Sequence, residues 1–321
     1  MRIALWLSCA VLFSSPAYAT FSIVAIDPAT GDIGVAVGAY AFAASERVPF
    51  GQGGVGAIAT QGNNNVGYHL RSLELLRSGL TAQQVLEKLL AEDTFPGKEA
   101  RQVALIDAKG NIAVYQGPNT PQPRGNRQRQ AYAVIGNNVI GPHVVDAMGI
   151  AFENSTGELA ERLLAALQGA ERAGGDGNPP QAAAILVFRA HQFDNNDRWV
   201  AVRVDSHSDP IHELRRLLDL QLARNYQGTR NYLVRSGKIA EALQAAEKAA
   251  VYEPVVADNH LHLGFLRYLA GEHERALEAF TRARQLNPNF KRTWETVLAN
   301  TQFAGYKRVG EDQAFVNRVM N

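Results

Sequence analysis

Short apolar runs separated by turn residues fill the first two-thirds of the chain. Runs rich in β-branched, aromatic and small residues predict strands at 20–27, 33–40, 53–61, 102–107, 112–115, 132–136, 182–189 and 199–205. Apolar residues at helical spacing predict helices at 66–78, 81–91, 142–152 and 158–167, with another from Pro210. The polar stretch 118–130 is expected to be a loop. Because the strands come mostly as hairpins, the order predicts an α+β fold with antiparallel sheets and layers of helices.

Two details of the helical pattern are specific. Leu70 is expected to lie with Leu73, Leu75 and Leu76 on the apolar face of the first helix. Thr81 is expected to be the N-cap of the second helix.

The chain changes character from about Ala223, where it becomes helical and rich in Ala, Leu, Arg and Glu. Pro254 and Pro288 lie 34 residues apart, which is the tetratricopeptide period. An ordinary helical bundle with chance spacing is the alternative, but several residues match the repeat in one frame. The matching residues are Tyr226, Ala242, Ala246, Ala249, Leu263, Gly264, Ala276, Phe280, Ala283 and Trp294. The pattern therefore favours an all-α, tetratricopeptide-like C-terminal domain.

The first 19 residues are typical of a secretory signal peptide. Arg2 precedes an almost wholly apolar stretch, 3–13, and Ala17-Tyr18-Ala19 is a small-x-small cleavage site. A membrane anchor is the alternative, but the apolar stretch is about half of the roughly 20 residues that a spanning helix needs. We therefore expect a periplasmic or secreted protein that begins at Thr20.

Composition narrows the chemistry. The 321 residues are 46% hydrophobic and 20% charged, with a formal net charge of +1, so the chain is globular and gives no sign of a nucleic-acid or membrane-surface partner. The single cysteine, Cys9, lies in the leader, so the mature protein would have no thiol nucleophile, disulfide or thiolate metal site. The eight histidines are scattered, and neither a metal nor an organic cofactor is predicted.

Thr20 is the sharpest candidate for catalysis because cleavage after Ala19 would give it a free amine. A threonine hydroxyl is a weak nucleophile, but an α-amino group has a reference pKa of about 7.7–8.0 and can act as its base near neutral pH. The alternative is that Thr20 is simply the first residue of a β-branched edge strand.

Several motifs recur in order between Thr20 and Asp209. They are TFSIVA at 20–25, GVAV at 34–37, GVGA at 54–57, ATQ at 59–61, GN at 136–137 and GGD at 174–176. This series resembles a bacterial family of unknown function placed among the N-terminal-nucleophile hydrolases. The resemblance implies a four-layer αββα sandwich, with Thr20 as nucleophile and its own amine as base.

The same resemblance suggests roles for other residues. Asn137 would donate to an oxyanion, and Asp176 would orient the amine or bind a substrate ammonium; a plain turn is the alternative for each. The segment 177–183 lacks the basic group and the serine that relatives carry, which leaves open a changed specificity or a non-catalytic descendant. Residues expected to bind substrate are Thr60, Gln61, Gln181 and Arg47. Arg47 and the cluster of Arg124, Arg127 and Arg129 would bind an anionic group, with a solvated charged loop as the favoured alternative.

These observations predict four segments: a signal peptide at 1–19, a hydrolase-like domain at 20–209, a linker helix at 210–222 and helical repeats at 223–321. The leading hypothesis is an exported N-terminal-nucleophile hydrolase that cleaves an amide bond in a small molecule or peptide. The alternative is a non-catalytic scaffold whose repeats bind a protein or peptide. A role at the cell wall is motivated by compartment alone, and the oligomeric state, including a homo-oligomer, is left open.

Overall fold

A computed structural model describes residues 19–175, 177, 181–190 and 197–321. The predicted leader, up to residue 18, and Asp176 lie outside the described residues. The chain divides into two compact units, one ending at Leu214 and the other spanning Arg215–Asn321, and this division falls inside a long helix, α6 (Pro210–Arg235). The fold is mixed α/β, as the sequence predicts.

The first unit contains two antiparallel sheets, which confirms the expectation from the hairpin pattern. The strands are β1 Thr20–Ile26, β2 Ile33–Ala39, β3 Pro49–Gln52, β4 Gly56–Gly62, β5 Arg101–Asp107, β6 Ile112–Gln116, β7 Arg124–Arg129, β8 Tyr132–Asn137, β9 Ala182–Phe188 and β10 Arg198–Val204. The larger sheet has the order β10-β9-β2-β1-β8-β7, and the smaller sheet has the order β3-β4-β5-β6. Strand β1 is therefore an interior strand of the larger sheet.

Helices cover one face of each sheet. The helices of this unit are α1 Ala44–Arg47, α2 Gly67–Arg77, α3 Ala82–Glu92, α4 His143–Asn154 and α5 Leu159–Arg172. Helices α2 and α3 pack on the smaller sheet, where Leu73 and Leu86 share a core with Ile58 and Val103. Helices α4 and α5 contact strands of the larger sheet. Helix α3 begins with a capping box between Thr81 and Gln84, which satisfies main-chain donors at its start.

The other faces of the two sheets meet in a common apolar core. Val24 and Val35 of the larger sheet pack with Ala57, Ala104 and Ile106 of the smaller sheet. The alanines leave little side-chain volume between the sheets, so the strands lie close together. Side chains at the ends of these strands therefore occupy a narrow space between the sheets.

Two strand predictions need correction. The predicted strand 53–61 starts too early, because residues 53–55 form the turn between β3 and β4. In this turn Gly54 has φ +68°, and a Cβ on Gly53 would lie 2.0 Å from the main-chain oxygen of Arg189. The predicted loop 118–130 contains β7, whose polar sequence reflects its position at an exposed sheet edge. Leu70, one of the apolar residues whose spacing predicts α2, is 67% exposed.

The second unit is helical. After α6 come α7 Ile239–Tyr252, α8 Ala257–Leu269, α9 His273–Leu286, α10 Phe290–Ala299, a 3-10 turn Thr301–Tyr306, α11 Lys307–Glu311 and α12 Gln313–Met320. Ala242, Ala276 and Phe280 are fully buried. Gly264 on α8 makes room for the Phe280 ring, because a Cβ there would lie 2.6 Å from ring atoms. Within the described part of the chain, no helix is long and apolar enough to cross a membrane.

Candidate functional site

Thr20 is the first residue of β1 and lies between two partner strands. Its register partners are Ala39 of β2 and Asn137 of β8. Side chains alternate along a strand, so Thr20 projects to the same face as Val24, which is part of the core between the sheets. Thr20 is 6% exposed, and its side chain therefore faces the smaller sheet at the end of the intersheet space.

The main-chain nitrogen of Thr20 faces β8. The Tyr40 N–H donates to the Ala19 carbonyl at 3.1 Å, which assigns Ala19 to the pairing with β2. On the other side of β1, the Ile26 N–H donates to the Ala131 carbonyl at 2.9 Å. Because antiparallel bonds alternate along a strand, the nitrogen of Thr20 is directed at the main-chain carbonyl of Asn137.

A network of side-chain amides links the two sheets at this end. Gln61 Nε2 donates to the Thr20 carbonyl at 3.0 Å and to Gln102 Oε1 at 2.8 Å. The Ser22 hydroxyl donates to Gln61 Oε1 at 2.6 Å. Ser22, Gln61 and Gln102 are buried, so these bonds form in a low-dielectric environment where they hold the start of β1 against the smaller sheet.

Gln102 is the centre of this network. Its Nε2 lies 3.1 Å from the Gly125 carbonyl, 3.0 Å from the Gly136 carbonyl and 3.0 Å from Gln116 Oε1. Its Oε1 also accepts from Asn137 Nδ2 at 3.2 Å, whereas Asn137 Oδ1 is buried and finds no partner in the part of the chain that the structure describes. The structure thus turns the amide nitrogen of Asn137, expected to face an oxyanion, towards Gln102.

The chain is similar to known proteins over its first unit. A model of a family described as "Family of unknown function (DUF1028)" matches residues 20–214. The chain belongs to the DUF1028 family. A crystal structure of a DUF1028 protein, SPO2555 from Silicibacter pomeroyi, is similar with a TM-score of 0.56 and 32% sequence identity, covering 62% of this chain and 84% of that chain. A comparison with curated proteins gives no match.

The DUF1028 match begins at Thr20 and ends at Leu214, where the first compact unit ends. The matched part therefore contains both sheets and every residue of the amide network. The helical unit from Arg215 lies outside the match.

Two further candidate residues of the DUF1028 unit adjoin the larger sheet. Gln181 immediately precedes β9, where its N–H donates to the Ala39 carbonyl at 2.8 Å and its Nε2 donates to the Ser206 hydroxyl at 3.1 Å. Arg47 is exposed on α1, and its Nη2 donates to the Phe42 carbonyl at 3.0 Å.

Thr60 is not brought to the Thr20 face. It is buried on the opposite face of β4 from Gln61, and its hydroxyl accepts from the Asn65 N–H at 3.2 Å. Strand alternation therefore separates two neighbouring residues that were expected to share a substrate site.

Asp176, for which a role was expected, lies outside the described residues, but the two glycines before it are described. The Ile140 N–H donates to the Gly175 carbonyl at 3.0 Å, which joins this segment to the chain leaving β8. Gly174 has φ +97°, and a Cβ there would lie 2.2 Å from Ile140 Cδ1. The positive backbone angle strongly favours glycine at this position.

Exposed apolar side chains follow the ends of the two strands that pair with β1 at Thr20. Tyr40 directly follows the β2 partner of Thr20 and is 42% exposed, and nearby Phe42 is 64% exposed. Ile140, three residues beyond Asn137, is 48% exposed. We call Tyr40, Phe42 and Ile140 the apolar rim.

Ser22 and Gln102 take part in the site although neither was singled out from the sequence. A usable signal existed for Gln102, because it shares the core-facing phase of β5 with Ala104 and Ile106. A polar residue at such a position needs hydrogen-bond partners. The described residues contain no group of three or more His, Cys, Asp or Glu side chains arranged to hold a metal ion.

Proposed function

We propose that this DUF1028 protein is an exported N-terminal-nucleophile hydrolase that cleaves an amide bond, with Thr20 as the nucleophile. The observation that carries the proposal is the position of Thr20, which begins an interior strand and directs its side chain into the space between two sheets. A hydrogen bond from Gln61 Nε2 holds its carbonyl, so the residue is fixed at the point where a new N-terminus would form.

The chemistry needs only the two functional groups of Thr20. The neutral α-amine takes the hydroxyl proton while Oγ1 attacks the substrate carbonyl, and the tetrahedral intermediate then expels the amine leaving group, which receives that proton. The resulting ester is hydrolysed by water, with the same amine as base, which releases the acid and restores Thr20. The step therefore requires that Thr20 no longer be joined to Ala19.

Three features support this proposal. Helices on the outer faces of two facing sheets fit the four-layer αββα sandwich of N-terminal-nucleophile hydrolases. The family match begins at Thr20 itself. The preceding segment has the charge, apolar run and Ala17-Tyr18-Ala19 site of a leader that signal peptidase would remove.

We further propose that the second unit is a set of tetratricopeptide-like repeats. Helices α7 and α9 begin 34 residues apart, and the equivalent residues Ala242 and Ala276 are both fully buried. The 3-10 turn places the Phe303 and Tyr306 rings against His262 of α8, at centroid distances of 4.7 and 5.6 Å. Part of the α8 surface is therefore occupied by the chain's own residues, which favours catalysis over peptide capture as the main function.

The apolar rim indicates the kind of amide that would bind. A substrate with an apolar group next to the scissile bond would cover Tyr40, Phe42 and Ile140 and remove their exposed surface from water. We therefore propose an amide with an apolar substituent as the substrate class.

The test is labelling of Thr20 by a hydroxyl-reactive β-lactone, read by intact mass and peptide mapping. Protein recovered from the periplasm should begin at Thr20 and gain one adduct. The adduct should be lost in Thr20→Val, which keeps the side-chain shape but removes the hydroxyl, and in a chain that retains Ala19.

Ser22→Ala is the matched control. It removes the neighbouring hydroxyl on the same face, but the nitrogen of Ser22 is in a peptide bond and provides no base, so the adduct should remain on Thr20. A chain that begins elsewhere, or an adduct that persists in Thr20→Val, would contradict the proposed nucleophile. A chain that begins at Thr20 and never reacts would favour a non-catalytic binding protein.

A further inference from the structure

Asn137 Oδ1 is a buried hydrogen-bond acceptor that has no partner among the described residues. The residue is 0% exposed, and the only bond of its side chain to the described residues is that of Nδ2 to Gln102 Oε1, at 3.2 Å. Buried polar atoms in proteins are nearly always paired, because an unpaired one loses its bonds to water without replacement. An acceptor in this state implies a donor that none of the described residues of the uncleaved chain provides.

The orientation of the Asn137 amide follows from the main chain. The carbonyls of Gly125 and Gly136 can only accept, so the group of Gln102 that faces them must be Nε2. Oε1 of Gln102 must then face Gln61 and Asn137. If the Asn137 amide were turned over, two oxygens would face each other, so Oδ1 is the free end.

The missing donor lies on the neighbouring strand. Thr20 is the register partner of Asn137, and opposed residues in a sheet project their side chains to the same face. In the uncleaved chain the Thr20 nitrogen carries one hydrogen, which the strand pairing directs at the main-chain carbonyl of Asn137. Removal of Ala19 and the residues before it turns this nitrogen into an ammonium with three hydrogens, two of which are new.

We propose that Asn137 Oδ1 accepts a hydrogen bond from the α-amino group of Thr20 that cleavage creates. Asn137 is then a positioning residue for the base, held in place by Gln102, and not an oxyanion donor. The inference rests on the proposed cleavage before Thr20 and gives the proposed function a specific device: the acceptor is already in place before its donor exists.

The bond has a measurable consequence. An acceptor stabilises the charged form of an amine, so its removal should lower the pKa of the Thr20 amine, and a negative charge in its place should raise it. Asn137→Leu removes the acceptor at similar volume, and Asn137→Asp replaces the amide by a carboxylate of the same shape. We expect the pKa of the Thr20 amine to be lower by about one in Asn137→Leu and higher by about one or more in Asn137→Asp.

The experiment is a carbon-13 NMR titration of Thr20. The chain from Thr20 to Asn321 is released from a cleavable N-terminal fusion with labelled threonine, so its N-terminus is defined and no substrate is needed. Gln116→Leu is the matched control, because Gln116 contacts Gln102 in the same network and should leave the pKa unchanged.

Equal pKa values in wild type and in Asn137→Asp would overturn the inference, and Asn137→Asp alone suffices if Asn137→Leu does not fold. If Asn137 served only to stabilise the fold, its replacement would change the melting temperature but not the pKa of the Thr20 amine. Shifted pKa values in a chain that never reacts with the β-lactone would uphold the inference and reject the hydrolase.

Discussion

Replacement of Gln102 should release the start of β1 from the smaller sheet. Gln102→Met keeps the length of the side chain but removes an acceptor for Gln61 and Asn137 and a donor for the carbonyls of Gly125 and Gly136. Asn137 would then lose the partner of its Nδ2, and Gln61 would keep only the Thr20 carbonyl and the Ser22 hydroxyl. The variant therefore places several unsatisfied polar groups in a buried site.

The magnitude follows from these losses. Each buried polar group left unpaired costs about 1–3 kcal/mol, but neighbouring losses do not add fully. We expect the free energy of opening of this region to fall by about 3 kcal/mol, which corresponds to roughly 100-fold faster exchange.

Hydrogen–deuterium exchange measures this directly, peptide by peptide, in the complete chain. Peptides from β1, β5 and β8 should exchange faster in Gln102→Met, whereas peptides from α7 to α9 should not change and serve as an internal reference. Gln128→Met, on the exposed edge strand β7, is the matched control. Protection of β1 and β8 within threefold of wild type would refute the view that Gln102 organises the site.

Three other outcomes are expected. Burial lowers the pKa of His69 from 6.5 to about 4, so the folded state takes up a proton on this residue at a lower pH than the unfolded state does. The stability that depends on neutral His69 should be complete above pH 6.5 and should fall by about 3 kcal/mol as the pH decreases through 4. His69→Phe should remove that part of the pH dependence in urea titrations followed between pH 7 and 4. Gly264→Ala should destabilise the second unit by about 1–2 kcal/mol in thermal unfolding, because overpacking against Phe280 outweighs the higher helix propensity of alanine. Phe42→Ala should lower kcat/KM several-fold for amides with an apolar substituent, because the substituent would lose its contact with about half of the Phe42 ring.

Each of these outcomes has a control. A pH dependence that is identical in His69→Phe would show that other groups cause it. Gly228→Ala, on α6 where a Cβ would meet nothing within 4 Å, should stabilise slightly, and equal effects at both glycines would contradict the packing argument. Phe95→Ala removes an exposed aromatic ring outside the apolar rim, and an equal loss of kcat/KM there would refute a role of Phe42 in substrate binding.

Local sequence determined most of the elements of this protein. The β-branched opening at Thr20 forms β1, and Thr81 caps α3 as its side chain and its spacing to Gln84 predict. Regular spacing of alanines in the second unit places Ala242 and Ala276 in its core. These features depend on neighbours within a few residues or on a repeated period, which a single sequence contains.

Only the tertiary structure decided how the site is assembled. Strand β7 was predicted as a loop because its side chains are polar. It lies at a sheet edge, where main-chain bonds to β8 hold it, and the local sequence pattern does not predict such bonds. Thr60 and Gln61 project to opposite faces of β4, and the packing of the two sheets decides which of them faces Thr20. Thr20 pairs with Asn137, more than a hundred positions away, and Gln102 bonds to Asn137, 35 positions away. These contacts arise from the register and packing of two sheets and not from any short segment.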